Sequence, residues 1–403
     1  MPTDMRLPLL STLTLAALFA PCAWAQQDTP LVLNASYAMQ TDSNLFRLPA
    51  GANTQALVGR SSAAEQISAG TLGLRFATTQ SLQRFELNAS VVDYRYQNFD
   101  YLNFVANNYD AAWRWALTPQ LTGSITSERT EALNSFADYQ GFTKRNQRTD
   151  SAHRFDAVYE LHGPWRLVGG VAQTERRNEQ ALVAGGDYRF NSANAGLRHV
   201  FSSGSTLTVL ARNNTGTYLN QTVPNNSLVD ADFRQTETEM RLHWVYSGTG
   251  VLDGYLTPLN RSHPTYSQRD FSGYNAGASA GWALTGKTRL SAQYSRELAA
   301  YATNNTNYSQ TDALRTGLQW NVGAKTLLSA SYAVSQIEYL GSPNALPSSQ
   351  RKDTLRETSL TLSWEALQGF TVGTGLQTST RSSTQAGQDF ESTGLSLNAQ
   401  YSY

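Results

Sequence analysis

From residue 26 onward the chain alternates apolar and polar residues with a period of two, the pattern of strands whose two faces meet different surroundings. Tyr109, Ala111, Trp113, Trp115 and Leu117 fall on one face, with Asp110, Ala112, Arg114 and Ala116 on the other. Phe155, Ala157, Tyr159 and Leu161 alternate with Arg154, Asp156, Val158 and Glu160. Met240, Leu242, Trp244 and Tyr246 alternate with Glu239, Arg241, His243 and Val245, and Leu360, Leu362 and Trp364 repeat the pattern near the end. Spacings of three and four, the mark of an amphipathic helix, are not sustained anywhere. Each segment runs about 10–14 residues, beyond the 5–6 usual in a soluble sheet and enough for a tilted strand to cross a bilayer.

The connections alternate as well. Tight ones fall at 117–119, 162–164, 202–204, 247–249, 285–287, 323–325 and 367–369. Long polar loops fall between them at 41–66, 97–106, 131–150, 177–186, 217–233, 259–271, 298–309, 338–353 and 381–389. Short turns on one side and long loops on the other belong to an outer-membrane barrel. The reading is all-β: a single transmembrane antiparallel β-barrel of 18 strands, beginning near 31, 67, 83, 107, 120, 151, 165, 187, 205, 234, 250, 272, 288, 310, 325, 354, 369 and 390. Sixteen remain if Pro258 shortens the segment at 250–258, because proline cannot donate to the ladder. The last segment carries Thr393, Leu395, Leu397, Ala399, Tyr401 and Tyr403 on one face. Outer-membrane barrels characteristically end in such a strand with a terminal aromatic.

Composition excludes the main competitors. Only 15% of residues are charged, 40% are apolar and 11% aromatic. A disordered chain would be highly charged and aromatic-poor, and a helical membrane protein would need runs of about 18–20 apolar residues that are absent here. Balanced charge, with 31 basic and 31 acidic residues, argues against a nucleic-acid partner, since phosphate recognition wants a basic surplus. At the N-terminus, Arg6, the apolar run 7–20 and Ala23-Trp24-Ala25 describe a signal peptide at 1–25, leaving 26–403 as the barrel. Cys22 falls within that signal, so the exported chain is expected to hold no disulfide.

In hydrocarbon every backbone N–H and C=O must be paired within the protein, which a closed barrel achieves. Eighteen strands give a backbone radius of roughly 18 Å, room for an aqueous lumen unless a loop fills it. The loop 41–66 is the candidate plug or constriction. Parity assigns Arg84, Glu86, Asp110, Arg114, Arg154, Asp156, Glu160, Arg166, Arg198, Glu239, Arg241 and Arg315 to the lumen. They would brace the wall as cross-strand pairs or line it for a hydrated solute, and their mixed signs imply no strong ion selectivity.

Several motifs imitate catalytic sites. Gly281-Trp282-Ala283-Leu284-Thr285-Gly286-Lys287-Thr288 matches the phosphate-binding loop, which works only between a strand and a helix; here a strand resumes at once. Gly277-Ala278-Ser279-Ala280-Gly281 matches a nucleophile elbow but lies inside an alternating segment. His153, His162, His199, His243 and His263 show no metal-ligand spacing. A lipid-modifying enzyme would need a serine and a histidine on the outer face, and parity offers no persuasive pair, although His153 and His199 point that way near strand ends. No catalytic residue, metal or cofactor is expected.

Asp42-Ser43-Asn44-Leu45-Phe46-Arg47, after the first strand, and Arg269-Asp270-Phe271-Ser272-Gly273, before a later one, resemble motifs of EpsL-type outer-membrane proteins of exosortase-associated exopolysaccharide loci. The resemblance implies a non-enzymatic porin-like barrel for exopolysaccharide synthesis or export, with polysaccharide, periplasmic export components and outer-membrane lipid as partners. A general diffusion porin is the alternative, and a lipid-modifying enzyme a further one.

Overall fold

The computed structural model describes residues 30–137, 141–180, 186–220, 230–248, 250–303, 306–341 and 351–403. The expected signal peptide lies outside them. Eighteen strands form one sheet. The first nine are β1 (Leu31–Asp42), β2 (Glu65–Gln80), β3 (Gln83–Tyr96), β4 (Phe104–Ala116), β5 (Leu121–Leu133), β6 (Gln147–Glu160), β7 (Trp165–Asn178), β8 (Tyr188–Val200) and β9 (Thr206–Tyr218). The second nine are β10 (Asp232–Ser247), β11 (Gly250–Ser262), β12 (Phe271–Ala283), β13 (Thr288–Thr303), β14 (Thr306–Gly323), β15 (Thr326–Leu340), β16 (Lys352–Leu367), β17 (Phe370–Ser383) and β18 (Phe390–Ser402). Each pairs antiparallel with its neighbours in sequence, and β1 also pairs with β18, from Asn34 opposite Ser402 to Gln40 opposite Ser396. Tyr403 completes the seam by exchanging backbone hydrogen bonds with Leu33, at 2.8 and 3.0 Å. Every edge is therefore paired, which removes the unpaired row that an open sheet would present to lipid.

Two expectations need correction. Pro258 does not shorten its strand: β11 continues to Ser262, and Pro258 pairs with Tyr274 on β12. Toward β10 the ladder lapses between Glu237–Leu259 and Met240–Leu256 without a shift of register, which is the local effect of a missing donor. The long loop expected at 298–309 is mostly strand, because β13 runs to Thr303 and β14 starts at Thr306.

The register separates two faces. Leu72, Val91, Trp113, Ile125, Phe155, Val171, Leu197, Leu397 and Tyr401 are large apolar side chains left exposed on the outside. All seven tryptophans among the described residues (Trp113, Trp115, Trp165, Trp244, Trp282, Trp320 and Trp364) stand near the tight-turn end of their strands. Indole suits the membrane–water boundary, so this end marks one boundary of the apolar band. Toward the long-loop end the outer face turns polar, with ion pairs such as Asp93–Arg95 (2.9 Å) and Arg296–Asp312 (2.7 Å). Leu397→Arg, at mid-height of the band, is expected to cost about 2–4 kcal/mol, as a charge at the bilayer midplane does. Asn398→Arg, on the other face, should cost far less; unfolding by denaturant in lipid vesicles reads both, and equal costs would contradict this assignment of faces.

Candidate functional site

All twelve charged residues singled out by parity stand on the face opposite the apolar band, as the cross-strand register shows. Several come together. Glu86 accepts from Arg84 Nε (2.6 Å) and from Arg114 Nε on the neighbouring strand (3.0 Å). Arg166 pairs with Glu160 at 2.7 Å, and Arg154 with Glu128 at 3.1 Å. Glu239, almost fully buried, is held between Arg241 and Arg212 Nη2 (3.0 Å), and Arg212 Nη1 also reaches Glu237 (2.8 Å). Asp110 faces Glu128 and Asn88 across the ladder, Arg315 faces Gln293, and Asp156 lies opposite Ser124 and Gly170. Arg198 stands opposite Arg166, donates to Thr208 Oγ1 (3.1 Å), and has no carboxylate within ion-pairing distance among the described residues. Arg212, Glu237 and Glu128 escaped the sequence reading. In β9, Asn213 on the outer face is polar too, so parity there carried no contrast.

The long-loop end is narrowed by chain folded inward. The segment 43–64 between β1 and β2 carries Leu45, Phe46, Leu48 and Ala63 into a buried cluster with Ile67, Ala69, Val92, Tyr96, Phe99, Leu102, Phe104, Ala106 and Phe136. Ile67, Ala69, Val92, Tyr96, Phe104 and Ala106 occupy inward positions of β2, β3 and β4, so an apolar patch on the inner wall is the seat on which the segment packs. Phe46 meets Phe99 edge-on and Phe136 at a tilt, each at 4.7 Å between centroids. A five-residue helix, α1 (Thr54–Val58), capped by Asn53 and ended by Gly59 in the left-handed conformation, turns the segment back toward β2.

The six residues 42–47 form the hook that holds it. Arg47 grips Asp42 with both terminal nitrogens (2.9 and 2.8 Å) and also donates to Asn44 O. Asp42 accepts further from Asn44 N (2.9 Å) and Ser392 Oγ (2.7 Å). Ser43 exchanges bonds with Thr393, and Asn44 Nδ2 donates to Glu391 O (3.0 Å), which ties the hook to β18. Leu45 and Phe46 are its buried apolar residues.

A second segment, missed in the sequence, crosses the mouth. From the end of β5 the chain passes Phe136, which lies against Phe46, to Ala137, which packs with Leu355 and Phe390 on β16 and β18. The Ala137 carbonyl accepts from Arg381 Nη1 on β17 at 2.6 Å, across 244 positions of sequence. Nothing local in 134–137 signals a contact of that span. Other loops are stitched by charge. Arg145 and Glu179 meet at 2.6 Å; the arginine's hydrogen bond holds the Glu179 carboxyl below its usual range against the opposing effect of burial. Asp230 accepts from Thr265 N (3.0 Å) and Tyr266 N (2.8 Å), and these bonds outweigh burial to hold its carboxyl low.

The catalytic look-alikes resolve as wall. Gly277–Gly281 lies within β12, and the phosphate-loop match spans the end of β12, a turn and the start of β13, with no helix. No group of three or more His, Cys, Asp or Glu among the described residues could hold a metal ion. His243 bonds Asp253 at 2.7 Å, and His199 packs on Trp165.

No family model matches the sequence, and no curated protein matches it. In structure the chain is similar to OccK2 (OpdF) of Pseudomonas aeruginosa, at 11% identity over 92% of this chain and 97% of that one, with a TM-score of 0.50. It is similar to OccK2 in complex with glucuronate at 10% identity, over 93% and 98%, with a TM-score of 0.50. A BenF-like porin from Pseudomonas fluorescens Pf-5 gives 11% identity, 93% and 99%, and a TM-score of 0.49. At such identities the likeness shows the fold: a closed 18-strand antiparallel barrel of the outer-membrane porin kind. It lends nothing to the exopolysaccharide role that the resemblance implies.

Proposed function

We propose that the protein is a diffusion channel of the outer membrane for small hydrated solutes, exported through a signal at 1–25 and narrowed at its outer mouth by the β1–β2 segment and by residues 134–137 after β5. The observation that carries this reading is a closed barrel with an apolar outside, a charged and hydroxyl-rich inside, and chain folded across one end. The glucuronate complex of OccK2 suggests one kind of solute to try, a small sugar acid, for which Arg198 on the inner wall is a cation not already paired with a carboxylate. A polysaccharide conduit is the weaker reading, because a polymer would have to displace both segments that cross the mouth. Purified protein in planar bilayers is expected to give stable conductance steps, and proteoliposomes to swell in monosaccharides but not in a long polysaccharide. Absence of both steps and swelling would leave a closed scaffold instead. Arg198→Glu should shift the zero-current potential toward cation preference, since it replaces an uncompensated positive charge on the inner wall; an unmoved potential would remove Arg198 from the permeation path.

A further inference from the structure

The outer face of the barrel carries one chemical grouping that the channel does not use. Ser127 on β5 and His153 on β6 are directly opposite in the ladder, and Ser127 Oγ lies 2.9 Å from His153 Nδ1. The expectation that the outer face holds no persuasive serine–histidine pair is thus corrected, and His153 sits within β6, not near its end. Both side chains point away from the lumen: the residues two positions below them, Ile125 and Phe155, are exposed members of the apolar band. Tyr109 on β4 places its hydroxyl 3.2 Å from Ser127 Oγ. Arg129, two residues above Ser127 and opposite Tyr109, brings a guanidinium to the same face, paired with Glu131. On the other side His153 faces Gln173, whose amide nitrogen donates to Asn191 Oδ1 at 2.8 Å.

The height of this cluster is what makes it more than a polar rung. Leu161, in the tight turn below β6, is exposed and apolar. From there to His153 the strand climbs eight residues. At about 2.5 Å of vertical rise per residue for a strand tilted near 40°, that is about 20 Å, close to the top of an apolar band about 25 Å tall. The ester linkages of an outer-leaflet lipid lie at that boundary, between acyl chains and headgroup.

The geometry points to an acyl-ester hydrolase site on the lipid-facing wall, with Ser127 as nucleophile and His153 as base, acting on an outer-leaflet glycerophospholipid. Ser127 Oγ attacks the acyl carbonyl carbon as His153 Nδ1 takes its proton. The oxyanion so formed is met by the Tyr109 hydroxyl and the Arg129 guanidinium. The ester C–O bond then breaks, and His153 returns the proton to the departing alcohol oxygen, leaving a lysophospholipid and an acyl-serine. Water, deprotonated by the same imidazole, attacks the acyl-serine carbonyl; the bond to Ser127 Oγ breaks, His153 returns the proton to that oxygen, and the fatty acid leaves. This inference does not rest on what passes through the lumen.

The test is covalent capture. Full-length barrel in phospholipid vesicles is treated with an alkyl fluorophosphonate, and the modified peptide is mapped by mass; turnover is followed separately with a fluorogenic diacylglycerophospholipid. The wild type is expected to carry the adduct on Ser127 and to release fatty acid, and Ser127→Ala to do neither. His153→Gln should lower both labelling rate and turnover by about 100-fold or more, and Tyr109→Phe should lower turnover by about 100-fold. Heat-modifiable electrophoretic migration reports that each variant is folded. An unlabelled, inactive wild type overturns the assignment, and so does turnover that survives in folded Ser127→Ala.

Discussion

Replacing residues 43–64 with a short Asn-Gly turn is expected to raise single-channel conductance several-fold. Asp42 and Glu65 are register partners at the top of β1 and β2, so two strands that already lie side by side need only a tight hairpin to join them. The deleted segment is not a free surface loop: Phe46 is almost fully buried against Phe99 and Phe136 on the lumen side. Its removal takes volume out of the mouth and leaves the second crossing segment, 134–137, without the ring on which Phe136 rests. The deletion also uncovers Ile67, Val92 and Phe104 on the inner wall, so the variant should be less stable as well as more conductive. Planar-bilayer recording with denaturant unfolding in the same lipid reads both effects. Conductance equal to wild type would show that the segment lies outside the permeation path and would withdraw it as the constriction.

Much of this architecture is legible in the sequence because a strand reports its faces by parity alone. Parity assigns Arg84, Arg154 and Arg241 to one side without knowledge of any neighbour, and the ladder sets them opposite Arg114, Thr126 and Thr208. Parity does not report which residue of the next strand stands opposite. His153 reads from parity as a residue on an outer face, and only the register across the β5–β6 connection joins it to Ser127. The crossing of Ala137 to Arg381 is invisible for the same reason, since a chord across a barrel has no local signature. Pro258 misled in the other direction: its local rule is sound, but the pairing of β11 with β12 on its other side keeps the strand intact. The two motifs that carry the family resemblance have structural roles. Asp42–Arg47 is a hook, and Arg269 is buried and donates to Thr306 O (3.0 Å) and Asn307 Oδ1 (2.9 Å) while Phe271 stacks on Tyr308. Both pin loops to the rim, so their presence speaks for the fold and not for a cargo.

Arg47→Ala is expected to be the most damaging single substitution in the mouth. Arg47 is 2% exposed and Asp42 4%, and removing one partner of a buried ion pair costs about 3–5 kcal/mol because the other is left charged and uncompensated. The backbone adds to the sensitivity, since Arg47 has φ of +56°, a conformation that side chains other than glycine adopt only when their surroundings hold them there. Lysine cannot substitute, because the grip on Asp42 is bidentate and an ammonium offers no planar fork. The loss should appear first as release of 43–64, not as collapse of the barrel, since the ladders of β1 with β2 and β18 do not depend on the hook. Limited proteolysis should therefore cut Arg47→Ala within 43–64 under conditions that leave wild type whole, while heat-modifiable migration of the barrel is kept. Its conductance should approach that of the deletion variant. Asp42→Asn together with Arg47→Met, which removes both charges, should recover much of the lost protection, because the cost lies in the orphaned carboxylate; a double variant as sensitive as Arg47→Ala would place the cost in the lost hydrogen bonds instead.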